Sequence, residues 1–130
     1  MTLQVELVSP ERILWSGEAD MVITRTTDGE IAFLSNHAPF IGGLGVGRVQ
    51  INLPDGGVVR AAVHGGFVEV SNNKVTILSD VAELSSDIDL ARAQEALRRA
   101  ESTTASEANA DELAAAKLRA ELRIIIATAA

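Results

Sequence analysis

The sequence predicts an all-β N-terminal sandwich followed by a C-terminal α-helical hairpin, a chain of two domains with different physics. Two observations carry this. Every glycine, proline and valine of the 130 residues lies before Asp87, and they fall in short Val- and Ile-rich runs separated by turn residues. After Asp87 the chain turns to alanine, leucine, isoleucine and paired charges at helical spacing. The division predicts a sandwich over 1–85 and a hairpin over 86–130.

The strands are expected in the following order. "LQVELVS" alternates Leu3, Val5 and Leu7 against Gln4, Glu6 and Val8. "DMVITRT", "GEIAFLS", "GRVQINL", "GVVRAAVH", "GFVEV" and "KVTILSD" follow as separate runs. "LPDGGVV" (Leu53 to Val59) reads as a hairpin loop, because Pro54 presets φ and Asp55, Gly56 and Gly57 tolerate positive φ. "SNNK" (Ser71 to Lys74) joins its neighbours in the same way. "GGLGVG" (Gly42 to Gly47) does not match the spacing of a nucleotide-binding GxGxxG between strand and helix, and reads as a loop with sharp turns.

The helical region opens on "SDID". Ser86 is the expected N-cap, with Asp89 three positions on completing a capping box. Leu90, Ala93, Leu97 and Ala100 recur at helical spacing. "STTASEAN" (Ser102 to Asn109) is a polar break, and Asp111 opens a second helix with Leu118, Leu122, Ile125 and Ile126 on one stripe. Two such helices with a short link predict an antiparallel hairpin. Its alanine-rich faces bury little area, so it is expected to be marginal alone and to move relative to the sandwich. Ile124, Ile125 and Ile126 are consecutive, so at least one must be exposed or meet the sandwich or a partner.

Composition narrows the function classes. The chain is 47% hydrophobic and 22% charged, as a globular protein is, and its net charge of −7 with a pI near 4.7 argues against nucleic acid and against an anionic lipid surface. Without cysteine there is no disulfide, thiolate site or cysteine nucleophile. The N-terminus has no early basic cluster, and no apolar run approaches the ~20 residues that span a bilayer. The expectation is a cytoplasmic protein with no direct membrane insertion, unless a partner carries it to a membrane.

Catalytic and metal patterns are missing. His37 and His64 are the two histidines, and neither has a spaced nucleophile and orienting group. His64 reads as structural in a strand, and His37 as a loop histidine bonding backbone or a partner. No calcium-loop or zinc motif is present. The charges of the hairpin remain. Asp89 and Arg92 share a helix face, Arg99 lies two turns below, and Arg119 and Arg123 are four apart on the second helix. Two readings stand. Each charge pairs locally, Asp89 with Arg92 and Glu95 with Arg99, or the arginines converge on an anion such as phosphate.

In order, "LVSPERILWSGEADMV", "GEIAFLSNHAPF", "GGFVEV", "KVTILSD" and "IDLARA" resemble the ε subunit of the bacterial F-type ATP synthase, over essentially the whole chain. The resemblance implies a rotor-stalk subunit without bond chemistry of its own. It would dock on the γ subunit and the c-ring at the cytoplasmic face of the membrane, coupling proton flow to ATP synthesis. It also implies a mobile hairpin that permits turnover when folded down. When extended, the hairpin meets the catalytic β subunits and α and restrains hydrolysis.

Some bacterial members bind ATP through Ile/Leu-Asp-x-x-Arg-Ala, and Ile88, Asp89, Arg92 and Ala93 match it. By that resemblance Asp89 contacts the nucleotide and Arg92 its phosphates. Glu83, Arg99, Arg119 and Arg123 join them, and no cofactor is required beyond this regulatory ATP. Glu30 and His37 fall where relatives face the c-ring and γ. A stand-alone ATP sensor with a helical lid is the alternative, and a structural adaptor without ligand is a third reading.

Overall fold

A computed structural model describes residues 2–106 and 108–129. Eight strands form the N-terminal part: β1 Leu3–Val8, β2 Ile13–Ala19, β3 Met21–Thr26, β4 Gly29–Leu34, β5 Phe40–Asn52, β6 Val58–Ser71, β7 Lys74–Leu78 and β8 Ala82–Leu84. Two helices follow, α1 Leu90–Ser102 and α2 Ala110–Thr128, after a single 3-10 turn at Ser85–Asp87. The ladder runs β2-β1-β7-β6-β5-β3-β4, with β8 on β6. β1 and β7 pair in parallel and every other pair is antiparallel.

The sheet folds over on itself as a sandwich. Its inner face collects Leu3, Val5, Leu7, Val22, Phe33, Val49, Ile51, Val68, Val70, Val75 and Ile77, nearly all without solvent exposure. Alternation explains the choice, since in β1 Leu3, Val5 and Leu7 are buried while Gln4 faces water. Burial of each such side chain is worth about 2 kcal/mol. Trp15 packs against this core, and its ring occupies the place a Cβ on Gly17 would take, 2.9 Å away. The "SNNK" turn is a two-residue hairpin with Asn72 at φ 51° and Asn73 at φ 60°, the left-handed pair that a twisted hairpin favours.

Several expectations need correction. Gly42 to Gly47 is not a loop but the first half of β5, a strand of 13 residues whose ladder with β6 runs from Phe40 to Asn52. "GVVRAAVH" and "GFVEV" are likewise one strand of 14 residues. Glycine disfavours strands on propensity, but β6 uses two glycines where it changes partner. Gly65 and Gly66 both have positive φ (90° and 128°), and pairing passes from β8 on one side of this point to β7 on the other. β2 and the short β8 are strands that the sequence reading did not name.

The hairpin also differs in detail. Ser86 lies inside the 3-10 turn, and Asp89 is the N-cap of α1, its carboxylate accepting from Arg92 N at 3.0 Å. In α2 the buried residues are Ala120 and Ile126, while Leu118 and Ile125 are more than half exposed. Of the three isoleucines, Ile125 is the exposed one and Ile124 is half-buried. α1 packs on α2 and α2 lies against β5 and β6; the buried residues of the two helices are Ala93 and Ala100 in α1 and Ala120 and Ile126 in α2. Ala62 of β6 is fully buried yet outside the sandwich core, on the face that α2 approaches.

Candidate functional site

The register of β6 and β8 places Glu83 opposite Ala62, on the same outward face as His64 two residues on. β8 then ends, the 3-10 turn reverses the chain, and Asp89 starts α1 directly beside it. Arg123 near the end of α2 returns to the same place, as antiparallel helices require. Its Nε donates to Glu83 Oε1 at 2.6 Å, and both side chains are mostly buried.

Around this contact lies a cleft of about 380 Å³ lined by Glu83, Asp87, Asp89, Arg92, Ala93, Ala96, Arg99 and Arg123. Three carboxylates face three guanidiniums, but they do not cancel pairwise. Glu83 takes Arg123, and Asp89 spends an oxygen on the backbone N–H of Arg92 rather than on its guanidinium. Among the described residues, the Arg92 and Arg99 side chains make no ion pair; Glu95 pairs with Arg98 and not with Arg99. The local-pairing reading therefore fails for both arginines. Two free forks in a cleft suit an anion with several oxygens. Ala93 and Ala96 keep one wall low and apolar, as a flat ring requires, and Asp87 and Asp89 are acceptors for N–H or O–H donors.

His64 sits behind the Glu83–Arg123 pair. Its side chain is 5% exposed, neither ring nitrogen has a hydrogen-bond partner, and Nε2 is 3.6 Å from Glu83 Oε1. Burial lowers its pKa below the ordinary histidine value, and the positive charges of Arg123 and Arg119 lower it further against an opposing pull from Glu83.

Of the eight residues the sequence nominated for nucleotide, six line the cleft: Glu83, Asp89, Arg92, Ala93, Arg99 and Arg123. Ile88 and Arg119 do not; Ile88 is half-buried at the end of the 3-10 turn, and Arg119 reaches Glu112 at 3.0 Å along α2. Asp87 and Ala96 were not nominated, although Ala96 falls three residues after Ala93 on the same helix face. Glu30 pairs with Arg48 at 3.1 Å on β4 and β5. His37 stands edge-on to Phe33 with ring centroids 4.9 Å apart, its Nδ1 2.7 Å from the Ala38 carbonyl oxygen. Among the described residues, no cluster of three or more His, Asp or Glu is placed to hold a metal ion, and no helix is long and apolar enough to cross a membrane.

Comparison with known proteins agrees with this architecture. Residues 2–85 match the model of the family described as ATP synthase, Delta/Epsilon chain, beta-sandwich domain. The chain is 47% identical over 118 residues to the ATP synthase epsilon chain of Streptomyces coelicolor, covering 91% of this chain and 94% of that one. It is 46% identical over 109 residues to that of Corynebacterium aurimucosum, covering 83% and 89%. Among solved structures, a chain of the Euglena gracilis mitochondrial ATP synthase (OSCP/F1/c-ring) superposes with a TM-score of 0.81 at 22% identity, over 92% of this chain and 78% of that one, which supports the fold. With its sandwich, its hairpin and these relatives, the chain belongs to the ATP synthase epsilon-chain family.

Proposed function

We propose that the chain is a non-catalytic stalk subunit of an ATP synthase and that its cleft binds ATP, which holds the hairpin down against the sandwich. Relatives named ATP synthase epsilon chain support the first part. Solved neighbours come from assemblies described as OSCP/F1/c-ring and as central stalk/c-ring. On this reading the sandwich docks on γ and the c-ring at the cytoplasmic face of the membrane. The released hairpin meets the catalytic β subunits and α and restrains hydrolysis.

The observation that carries the second part is the pair of unengaged guanidiniums, Arg92 and Arg99, in one cleft with Arg123. Arg92 and Arg99 come from α1, Arg123 from α2 and Glu83 from the sandwich, so a ligand that bridges them has no equivalent site once the hairpin leaves. A ligand biases such an equilibrium by its differential affinity for the two states.

The test is a pull-down with γ, with and without ATP, together with titration calorimetry of wild type, Arg92→Ala and Arg123→Ala. Binding to γ and an ATP heat lost in both variants are expected. Equal heats in all three proteins would remove the nucleotide site. A chain that binds ATP but ignores γ would be a stand-alone sensor, a reading favoured by the fact that the cleft is complete within one chain.

A further inference from the structure

Glu83 joins the hairpin to the sandwich through Arg123, and no other side-chain hydrogen bond or ion pair among the described residues does so. His64 is buried directly behind that contact, 3.6 Å from the same carboxylate oxygen, with neither nitrogen hydrogen-bonded. We propose that His64 is a proton-operated release for the hairpin: a proton on its ring frees α2 from the sandwich.

The two positions of α2 give His64 different surroundings. With α2 docked, an imidazolium at position 64 is shut away from water and lacks an acceptor for its second N–H. It faces Arg123 and Arg119 on α2, and the one carboxylate within reach, Glu83 on β8, is already committed to Arg123. Asp87 of the 3-10 turn, Asp89 at the cap of α1, and Arg92 and Arg99 of α1 line the shared cleft, two charges of each sign. With α2 released, both arginines of that helix leave, water reaches the ring, and Glu83 becomes wholly available to the imidazolium. Arg48 and Arg60, which share this sheet face by register with Ala62 and His64, stay in both states and do not discriminate.

The released state therefore binds the proton more tightly than the docked state, and the proton must favour release by the same factor. His64 in the docked chain has its pKa lowered, burial being the first cause and Arg123 the second, as this account requires. Each pKa unit between docked and released states changes the docking equilibrium about tenfold. Nothing in this depends on nucleotide in the cleft.

The chain has no cysteine, so spin labels can be placed cleanly on Asp28→Cys in the β3–β4 turn and Glu121→Cys on the exposed side of α2. Their distance distribution in the full chain would be measured from about pH 8 to about pH 5.5, spanning the histidine range. A longer population that grows as pH falls, and is absent in a His64→Gln background, is expected. A distribution that ignores pH, or a pH response that persists in His64→Gln, would overturn the proposal.

Because His64→Gln is a substitution at a buried position, a second measurement stands without it. Titration of the two histidines by NMR in the otherwise wild-type chain should place the His64 midpoint on the distance change, with His37 as internal reference. Midpoints that disagree would equally overturn the release.

Discussion

Glu83 of the last strand and Arg123 of the second helix meet at 2.6 Å, and among the described residues theirs is the one ion pair between sandwich and hairpin. The contact spans 40 residues of sequence and draws β8, α1 and α2 around one cleft.

Removing the carboxylate should loosen the hairpin first. Glu83→Ala leaves the mostly buried Arg123 guanidinium without its charge-assisted bond, a loss of about 1 to 2 kcal/mol. The expected signature is local: faster hydrogen exchange in α2 than in β1 or β7, with the sandwich transition nearly unmoved. A double-mutant cycle with Arg123→Ala measures the coupling, and additive single effects would show that the pair contributes nothing.

Stability should depend on pH through His64. Its folded pKa lies below the unfolded value, so above roughly pH 6.5 both states are neutral and the group has no effect. As pH falls through that value the unfolded chain takes up the proton first, and stability is lost until the folded pKa is passed. Thermal unfolding between about pH 8 and pH 5.5 should show a falling Tm in wild type and a flatter profile in His64→Gln.

The three consecutive isoleucines near the C-terminus should separate sharply. Ile126 is 1% exposed and Ile125 is 61% exposed. Ile126→Ala should cost about 3 kcal/mol of hairpin stability, Ile125→Ala a few tenths. Denaturant titration followed by far-UV circular dichroism distinguishes them.

Much of this was legible in the sequence, for reasons that differ by region. β1 was readable because Leu3, Val5 and Leu7 alternate with polar neighbours and one face of that strand meets the core. The first half of β5 was not, because Gly42, Gly43, Gly45 and Gly47 argue for a loop on propensity, and only the twelve-pair ladder with β6 makes them strand. The cap was misplaced by three residues because Ser86 and Asp89 are both good N-caps, and the 3-10 turn after β8 decides between them. The stripe expected on α2 held only in part: Ile126 is buried and Leu122 half-buried, but Leu118 and Ile125 are exposed and Ala120 takes an inward place. Six of eight nominated ligand residues line the cleft: helix periodicity aligns Arg92 and Arg99 on α1, whereas Glu83 on β8 was reached only through the family resemblance. The surroundings of His64 were out of reach, since nothing local says that Glu83, 19 residues on, will stand beside it.

The bend in β6 makes a prediction about a single methyl group. A Cβ on Gly66 would lie 2.1 Å from the Leu78 carbonyl oxygen, and its φ of 128° is nearly closed to other residues. Gly66→Ala should cost about 3 kcal/mol or more, or prevent folding. Gly45→Ala, whose Cβ finds its first neighbour at 3.7 Å and whose φ is unstrained, should stay within about 1 kcal/mol. Expression and thermal unfolding of the two variants side by side check this.

Asp89 has two roles that two substitutions can separate. Its carboxylate caps α1 through the Arg92 N–H, and it also lines the cleft. Asparagine caps helices as well as aspartate does, but it carries no charge; alanine does neither. Asp89→Asn should therefore leave α1 intact by circular dichroism, whereas Asp89→Ala should lose about 1 kcal/mol of helix stability. If Asp89 accepts donor groups of a nucleotide, both variants should weaken ATP binding several-fold, the alanine more because it also frays the helix that carries Arg92. If Asp89 is only a cap, calorimetry on Asp89→Asn should match wild type while Asp89→Ala falls. The comparison thus assigns the residue to the helix, to the ligand or to both, because the cap survives the loss of charge and the ligand contact does not.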